Sequence, residues 1–175
     1  TLSGGMGNDV LSIDADDLQA NISGGEGDDS VVVGDERGIS FDLGAASIEN
    51  AAGNTGDDHF STSTDTSIVV DGGAGSDVIT GGIGDDTLVG GLGSDTLAGG
   101  LGNDSLGIDA DDLQANISGG SGEDLAVVSD ERGVAFDMGA ADIERAVGNV
   151  GADYFSTSTE TGITVDGGAG NDVLI

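Results

Sequence analysis

The sequence predicts an all-β chain folded as a parallel β-solenoid, in which short strands alternate with tight glycine-rich turns. Three observations carry this prediction: a nine-residue repeat, a longer repeat of 95 residues, and 35 glycines without any proline or cysteine. Short strands at even spacing, separated by turn residues, are typical of solenoids, where each unit buries its apolar face against the next.

The nine-residue repeat has the form Gly-Gly-x-Gly-x-Asp-x-U-x, where U is a large apolar residue. Copies at Gly24 and Gly119 fit less well, because Ala126 replaces the apolar residue of the second, and degenerate copies begin at Gly53 and Gly148. The clear copies begin at Gly4, Gly72, Gly81, Gly90, Gly99 and Gly167.

The longer repeat relates the two ends of the chain. Residues 1–80 align without gaps onto 96–175, with 56 of 80 positions identical, and four nonapeptides run head to tail over 72–107. An unchanged offset over 80 residues indicates a duplicated structural block. We therefore expect residues 1–175 to form one continuous fragment of a solenoid, cut from a longer protein.

Each part of the nonapeptide has a physical role. The glycines allow positive φ and close backbone approach, so that six residues can turn tightly and point carbonyl oxygens inward. The last three residues form a short strand whose middle residue alternates into a thin core. These core residues are Leu11, Ile79, Leu88, Leu97, Leu106 and Leu174.

The charge is extreme: 34 acidic residues face three arginines, Arg37, Arg132 and Arg145, and the net charge is −31. Such acidity alone would suit a disordered tail, but the aspartates recur in register with glycine, which favours a fold. Protein cations are too few to neutralise them, so metal ions are the natural counter-charge. Nucleic acid and anionic membranes are excluded as partners, and no apolar run is long enough to span a membrane.

The sixth position of the nonapeptide supplies the candidate metal ligands. Aspartate is a hard oxygen ligand, and a site made of carboxylates and backbone carbonyls suits calcium better than magnesium or zinc. The candidate carboxylates are Asp9, Asp29, Asp77, Asp86, Asp95, Asp104, Asp124 and Asp172, with Asp58 and Asp153 as weaker candidates. The candidate carbonyls are those of Gly4, Gly24, Gly72, Gly81, Gly90, Gly99, Gly119 and Gly167.

These nonapeptides resemble the calcium-binding repeats of the RTX family, and the resemblance covers nearly the whole chain. It implies a right-handed parallel β-roll of about nine coils, with two nonapeptides per coil and calcium between stacked turns on the same edge. Turns starting near 4, 13, 24, 33, 42, 53, 62, 72, 81, 90 and 99 give ten half-coils per 95 residues. The pairs expected to bracket calcium are Asp9/Asp29, Asp77/Asp95, Asp86/Asp104 and Asp104/Asp124, then Asp58/Asp77 and Asp153/Asp172, for about six ions or more.

Two segments, 34–50 and 133–145, lack the motif. We expect them to continue the coil through hydrogen bonds and apolar stacking, with a short helix as the alternative. The apolar third positions of the motif, such as Ile83 and Leu101, should project outward, either as an association surface or as scattered exposed residues.

Catalysis is not predicted. His59 is replaced by Tyr154 in the other block, which argues against a ligand or base, and no nucleophile elbow or nucleotide-binding pattern with a following helix is present. The serine- and threonine-rich segments STSTDTS and STSTETG raise an ice-binding alternative, but threonine does not occupy the third position in any of the eight copies that keep both leading glycines.

The sequence therefore predicts a non-enzymatic calcium-binding structural repeat of a secreted or cell-surface adhesin or extracellular matrix protein. Two alternatives stay open: a calcium-dependent folding module of a secreted enzyme or toxin, and a repeat of a surface layer or fibre. Partners beyond calcium would be neighbouring copies or matrix components. The RTX resemblance implies export by the type I system of a Gram-negative bacterium, and the absence of cysteine fits a chain that is exported unfolded.

Overall fold

The computed structural model describes residues 1–158 and 162–175, and most of its regular structure is short parallel strand. The described residues also contain one α-helix, α1 (Leu43–Ala46), and two 3-10 turns, Gln19–Asn21 and Gln114–Asn116. The strands are β1 Leu2–Met6, β2 Val10–Ile13, β3 Ile22–Glu26, β4 Ser30–Val33, β5 Ser40–Asp42, β6 Asn50–Ala52, β7 His59–Ser61, β8 Val69–Ala74, β9 Val78–Thr80, β10 Thr87–Leu92, β11 Thr96–Leu101, β12 Ser105–Ile108, β13 Ile117–Ser121, β14 Leu125–Val128, β15 Ala135–Asp137, β16 Arg145–Val147, β17 Tyr154–Ser156, β18 Thr164–Asp166 and β19 Val173–Leu174.

The strands form two faces. The even-numbered strands make one nine-stranded parallel sheet, in the order β18-β16-β14-β12-β10-β8-β6-β4-β2. The odd-numbered strands lie on the opposite face in three shorter sheets, β1-β3, β13-β11-β9-β7-β5 and β15-β17-β19. Because consecutive strands alternate between the faces, the chain is a β-solenoid of about nine coils, as the sequence predicted.

The register gives the length of a coil. Leu88 pairs with Val70 on one side and with Leu106 on the other, so each of these coils takes 18 residues, whereas Val10 pairs with Ser30, 20 residues later. Five successive pairings carry the nine-stranded sheet across 95 residues, which confirms the predicted ten half-coils per block. The paired positions are Val10, Ser30, Asn50, Val69, Thr87 and Ser105.

A thin core lies between the faces. In β10 the burial alternates, with Leu88 fully buried and its neighbours Thr87 and Val89 turned outward, as a strand period of two requires. The predicted inward residues Leu11, Ile79, Leu88, Leu97 and Leu106 are all buried. Leu174 differs: it lies in the last coil and is 50% exposed, because only one side of that coil is covered.

The segments without the motif continue the coil, as expected. Strand β5 lies within 34–50 and β6 begins at its last residue, Asn50; β15 lies within 133–145 and β16 begins at its last residue, Arg145. Each of these strands is in parallel register with its neighbours. The short helix is present in the first segment only, where Asp42 caps it by accepting from the backbone N–H of Ala45. In the second segment the equivalent residues form hydrogen-bonded turns.

The interrupted face breaks at equivalent places in the two blocks, between β3 and β5 and between β13 and β15. In the first break the Gln19 amide bridges the gap: its Nε2 donates to the Asp42 carbonyl at 2.9 Å, and its Oε1 accepts from the Asp42 N–H at 2.8 Å. In the second, Gln114 Oε1 accepts from the Asp137 N–H. A side chain thus replaces the missing strand partner of β5 and β15.

Candidate calcium-binding turns

The turns stack in two rows, one along each edge of the solenoid. We call the row of turns that directly precede the strands of the nine-stranded sheet the first edge. The row of turns that directly follow those strands is the second edge. The first edge contains the turns 4–9, 24–29, 43–49, 62–67, 81–86, 99–104, 119–124 and 138–144. The second edge contains the turns 14–21, 34–39, 53–58, 72–77, 90–95, 109–116, 129–133, 148–153 and 167–172.

The motif aspartates of neighbouring coils are linked by one repeated hydrogen bond. The backbone N–H of Asp86 donates to Oδ1 of Asp104 at 2.8 Å, and the N–H of Asp104 donates to Oδ1 of Asp124 at 2.7 Å. All six predicted pairs show this bond, so the structure brings together the aspartates that the coil count paired. The other four bonds join Asp9 to Asp29, Asp58 to Asp77, Asp77 to Asp95, and Asp153 to Asp172.

The second carboxylate oxygen of these aspartates has a different environment. Within the described residues, six motif aspartates each have a buried Oδ2 atom with no hydrogen-bond partner. Burying a carboxylate oxygen without a hydrogen bond or a cation is costly, so an atom of this kind marks a place where a cation fits. The six are Asp9, Asp29, Asp77, Asp95, Asp104 and Asp124.

Where two nonapeptides stack, the first glycine of the following coil brings a carbonyl oxygen to the same place. A Cβ added to Gly4 would lie 2.5 Å from Oδ2 of Asp9 and 2.6 Å from the carbonyl oxygen of Gly24 in the next coil. Gly99 stands in the same relation to Oδ2 of Asp104 and to the Gly119 carbonyl. Only glycine fits here, and its absent side chain lets a carboxylate oxygen and a carbonyl oxygen from successive coils converge.

The donor set fits calcium. Among the described residues, no three side chains of His, Cys, Asp or Glu cluster closely enough to hold a metal by themselves. A metal held between these turns would need backbone carbonyls as well as carboxylates, which is the mixed oxygen set that calcium accepts at loose geometry. The predicted glycine carbonyls are therefore an essential part of the proposed ligand set.

Burial affects the protonation of these carboxylates. The pKa of Asp77 and Asp124 is raised to about 6, chiefly by desolvation and in smaller part by nearby carboxylates, while a backbone hydrogen bond acts in the opposite direction. The pKa of Asp86, Asp95 and Asp104 is also raised, again mainly by burial. Without a cation, these carboxylates hold their negative charge less readily than exposed ones.

In three of the candidate ligands, Oδ2 already accepts a backbone hydrogen bond from its own turn. Oδ2 of Asp86 accepts from the N–H of Gly82 at 2.8 Å, and Asp58 and Asp153 accept in the same way from Asn54 and Asn149. Each of these turns follows a turn without the motif on the same edge. Asp172 is half-buried in the last coil.

The sequence interpretation missed three acidic residues that extend the hydrogen-bond rows. Asp29 and Asp124 donate their N–H groups to Oε2 of Glu49 and Glu144, which are equivalent residues of the two blocks. The N–H of Asp95 donates to Oδ1 of Asp112. No glycine pair precedes these acids, and only the coil count, followed turn by turn along each edge, could have indicated them.

Arginine supplies the positive charge at two turns of the second edge that lack the motif. Arg37 makes a bidentate pair with Asp16 of the preceding coil, at 3.0 and 2.9 Å, and its Nε donates to Asp35. Arg132, its equivalent, binds Asp111 and Asp130 in the same way. These pairs hold the pKa of Asp16 and Asp111 below its usual range, chiefly through the arginine hydrogen bonds.

The remaining predictions about side chains can be placed as well. His59 lies exposed at the start of β7, in register with Ser40 and Val78. The apolar third positions project outward as expected: Met6, Ile83, Leu92 and Leu101 are all more than half exposed. The second serine- and threonine-rich segment falls partly on residues 159–161, outside the described part of the chain. None of the helices in that described part is long and apolar enough to cross a membrane.

Comparison with known proteins identifies the repeats. The model of the RTX calcium-binding nonapeptide repeat matches the chain in four copies, over residues 21–37, 71–106 and 164–175. The copies that begin at Gly4 and Gly119 lie outside these ranges but share the same geometry. Neither a search of curated proteins nor a search of solved structures gave a match. The chain therefore carries RTX calcium-binding nonapeptide repeats, folded as a parallel β-solenoid.

Proposed function

We propose that this chain is a calcium-folded structural repeat of a secreted or cell-surface protein, either an adhesin or an extracellular matrix protein. The observation that carries the proposal is the set of six buried Oδ2 atoms without a partner among the described residues, in a chain of net charge −31. Those of Asp9, Asp77 and Asp104 lie beside a glycine carbonyl of the next coil. Calcium between the turns would supply the positive charge that this stacking needs. The six aspartate pairs of neighbouring coils would hold about six ions.

The 95-residue repeat supports a structural role. Five coils bring each block back to the same edge, so that blocks can continue one solenoid without a change of direction. Such an arrangement extends a chain in one dimension, which suits a spacer or stalk at a cell surface. We found no arrangement of side chains in the described residues that favours a catalytic role.

Removal of calcium tests the proposal. With calcium withheld, buried carboxylates in adjacent coils repel one another, and we expect the far-UV strand signal to collapse into that of a disordered chain. The measurement is circular dichroism of the purified chain in excess calcium and in excess chelator, with magnesium as the control cation. Superimposable spectra in calcium and chelator would contradict the proposal.

The alternative of a surface layer or fibre has one observation in its favour. Ile83 and Leu101 are exposed side chains of the first edge in adjacent coils, and exposed apolar rows can mark association surfaces. Sedimentation of the calcium-loaded chain at rising concentration separates the two functions. A monomer at all concentrations supports a linear repeat, whereas growth into large assemblies supports the layer or fibre.

A further inference from the structure

The turns 43–49 and 138–144 of the first edge carry no nonapeptide, yet each lies against a motif turn with an unpartnered carboxylate oxygen. We infer that each closes a further calcium site, in which Glu49 or Glu144 takes the place of the motif aspartate. The first site would lie between the turns 24–29 and 43–49, and the second between 119–124 and 138–144. This inference rests on the proposed function of calcium binding between stacked turns.

The carboxylates carry the first part of the argument. Asp29 and Asp124 are fully buried, and the Oδ2 atom of each has no hydrogen-bond partner among the described residues. The N–H of Asp29 donates to Oε2 of Glu49 at 2.8 Å, and the N–H of Asp124 donates to Oε2 of Glu144 at 2.8 Å. This is the same bond that joins Asp104 to Asp124, with a glutamate oxygen in place of Oδ1.

A backbone carbonyl oxygen also lies at each of the two inferred sites. Where two nonapeptides stack, the first glycine of one turn faces the first-glycine carbonyl of the next coil, as Gly4 faces Gly24. At the turns without the motif, Gly24 faces the carbonyl oxygen of Ser47 instead, and Gly119 faces the carbonyl oxygen of Asp142. A carbonyl therefore stands at the same place although no glycine provides it.

The backbone shows how this carbonyl reaches that place. Ser47 and Asp142 have φ of 52° and 51°, and they are the only non-glycine residues with positive φ in the described part of the chain. A left-handed conformation is unfavourable for residues with a side chain. In the nonapeptides the positive φ belongs to the second and fourth glycines, such as Gly5 (φ 108°) and Gly7 (φ 104°), and not to the first glycine, whose carbonyl faces the site. The turns 43–49 and 138–144 therefore bring a carbonyl to this place through a different backbone conformation, which both blocks share.

The hydrogen-bond row of the second edge shows a contrast. Asp112 also accepts from the preceding motif aspartate, but its two oxygens receive the N–H groups of Asp95 and Asp109. Both oxygens are used within the protein, so we do not extend the inference to this turn. Glutamate has one more methylene than aspartate, which allows Glu49 and Glu144 to reach the neighbouring coil from a turn of different length.

The test replaces both glutamates by glutamine. The E49Q/E144Q variant keeps an amide oxygen that can accept from Asp29 and Asp124, but it loses the two negative charges. The matched control is E36Q/E131Q, which removes the same charge at two exposed, equivalent positions of the second edge. Equilibrium dialysis at saturating calcium, followed by elemental analysis, gives the number of bound ions per chain.

We expect the E49Q/E144Q variant to bind one ion fewer for each glutamate replaced, while the control binds as many as the unchanged chain. An unchanged count in E49Q/E144Q would overturn the inference and leave the glutamates as hydrogen-bond acceptors alone. If the unchanged chain itself bound no calcium, the proposed function would fail instead. If E49Q/E144Q did not fold, E49D/E144D would replace it: weaker binding of the last ions supports the inference, and an identical titration overturns it.

Discussion

Each motif aspartate uses its two oxygens differently. In Asp104, Oδ1 accepts from the backbone of the preceding coil, and Oδ2 is buried beside a glycine carbonyl of the following coil. One side chain therefore contributes both a fixed hydrogen bond between coils and an oxygen for a cation. Neither function depends on the apolar core, which explains how such a thin solenoid can hold its coils together.

Position along the row decides how much one aspartate matters. Asp104 is bonded to motif aspartates of the coils on both sides, whereas among the described residues Asp172 is bonded to one motif aspartate, Asp153. We expect Asp104→Ala to lower calcium affinity or ion count more than Asp172→Ala, by on the order of tenfold in apparent affinity, or about 1.4 kcal/mol. Calorimetric titration of the two variants measures this, and equal effects would contradict the pairing of the coils.

The raised pKa of the buried carboxylates makes the metal-free chain sensitive to acid. Asp77 and Asp124 have a folded-state pKa of about 6, above the ordinary value of 3.8, so the folded state binds protons more tightly than the unfolded state. This stabilisation is complete below the unfolded pKa and is lost as the pH rises through about 6. Metal-free chain should therefore gain strand structure as the pH falls from 7.5 to about 5.

Circular dichroism of dialysed, metal-free chain across this range measures the effect. The D77N/D124N variant is the matched control, because asparagine is neutral at every pH. It should show more strand signal at pH 7.5 than the unchanged chain and a smaller gain on acidification. A metal-free chain whose spectrum does not change with pH would show that these carboxylates do not control folding.

At the scale of the elements, the core depends on inward side chains that stack from coil to coil. Phe60 of β7 is fully buried and pairs in register with Phe41 and Ile79. Its neighbour His59 lies on the same strand but faces outward. Substitution of each residue in turn therefore separates the contribution of core packing to the free energy of unfolding from that of the strand.

Truncation of Phe60 should be costly. Phe60→Ala removes a buried aromatic ring from the thin core, and we expect a loss of about 3–5 kcal/mol in the free energy of unfolding at saturating calcium. His59→Ala, as the control, should change it by about 0.5 kcal/mol or less. Urea unfolding followed by circular dichroism measures both, and a similar small loss in the two variants would mean that Phe60 is not part of a close-packed core.

The elements also show what the sequence could predict. A glycine pair followed by aspartate marks a turn without reference to the rest of the chain, so the turns, the strands and the register could be predicted. Glu49 and Gln19 could not, because their roles arise only when coils of 18 to 20 residues bring distant segments together. Helix α1 could not be predicted with certainty over a turn either, because nothing in LGAA distinguishes a short helix from the turns that MGAA forms in the second block.

At the scale of the whole molecule, the distribution of charge sets the condition for folding. The chain has 34 acidic residues, and Arg37 and Arg132 serve two turns of the second edge that lack the motif. The motif turns have no such internal cation among the described residues, and they hold the unpartnered carboxylate oxygens. Protein cations thus bridge coils at two turns without nonapeptides, and the motif turns depend on an external cation.

This dependence predicts a steep response to calcium. Extracellular calcium modules bind at about 0.1–1 mM, and at tenfold excess each site adds roughly 1.4 kcal/mol by mass action. Six sites would then contribute about 8 kcal/mol, which is comparable to the stability of a whole domain. A calcium titration followed by circular dichroism should show a cooperative transition between about 0.1 and 2 mM.

A chain of this kind would stay unfolded at the low calcium of the cytosol, pass through an exporter, and fold outside, where folding would oppose its return. A chain already folded at sub-micromolar calcium would remove the basis for folding linked to secretion, even if calcium still bound at the turns.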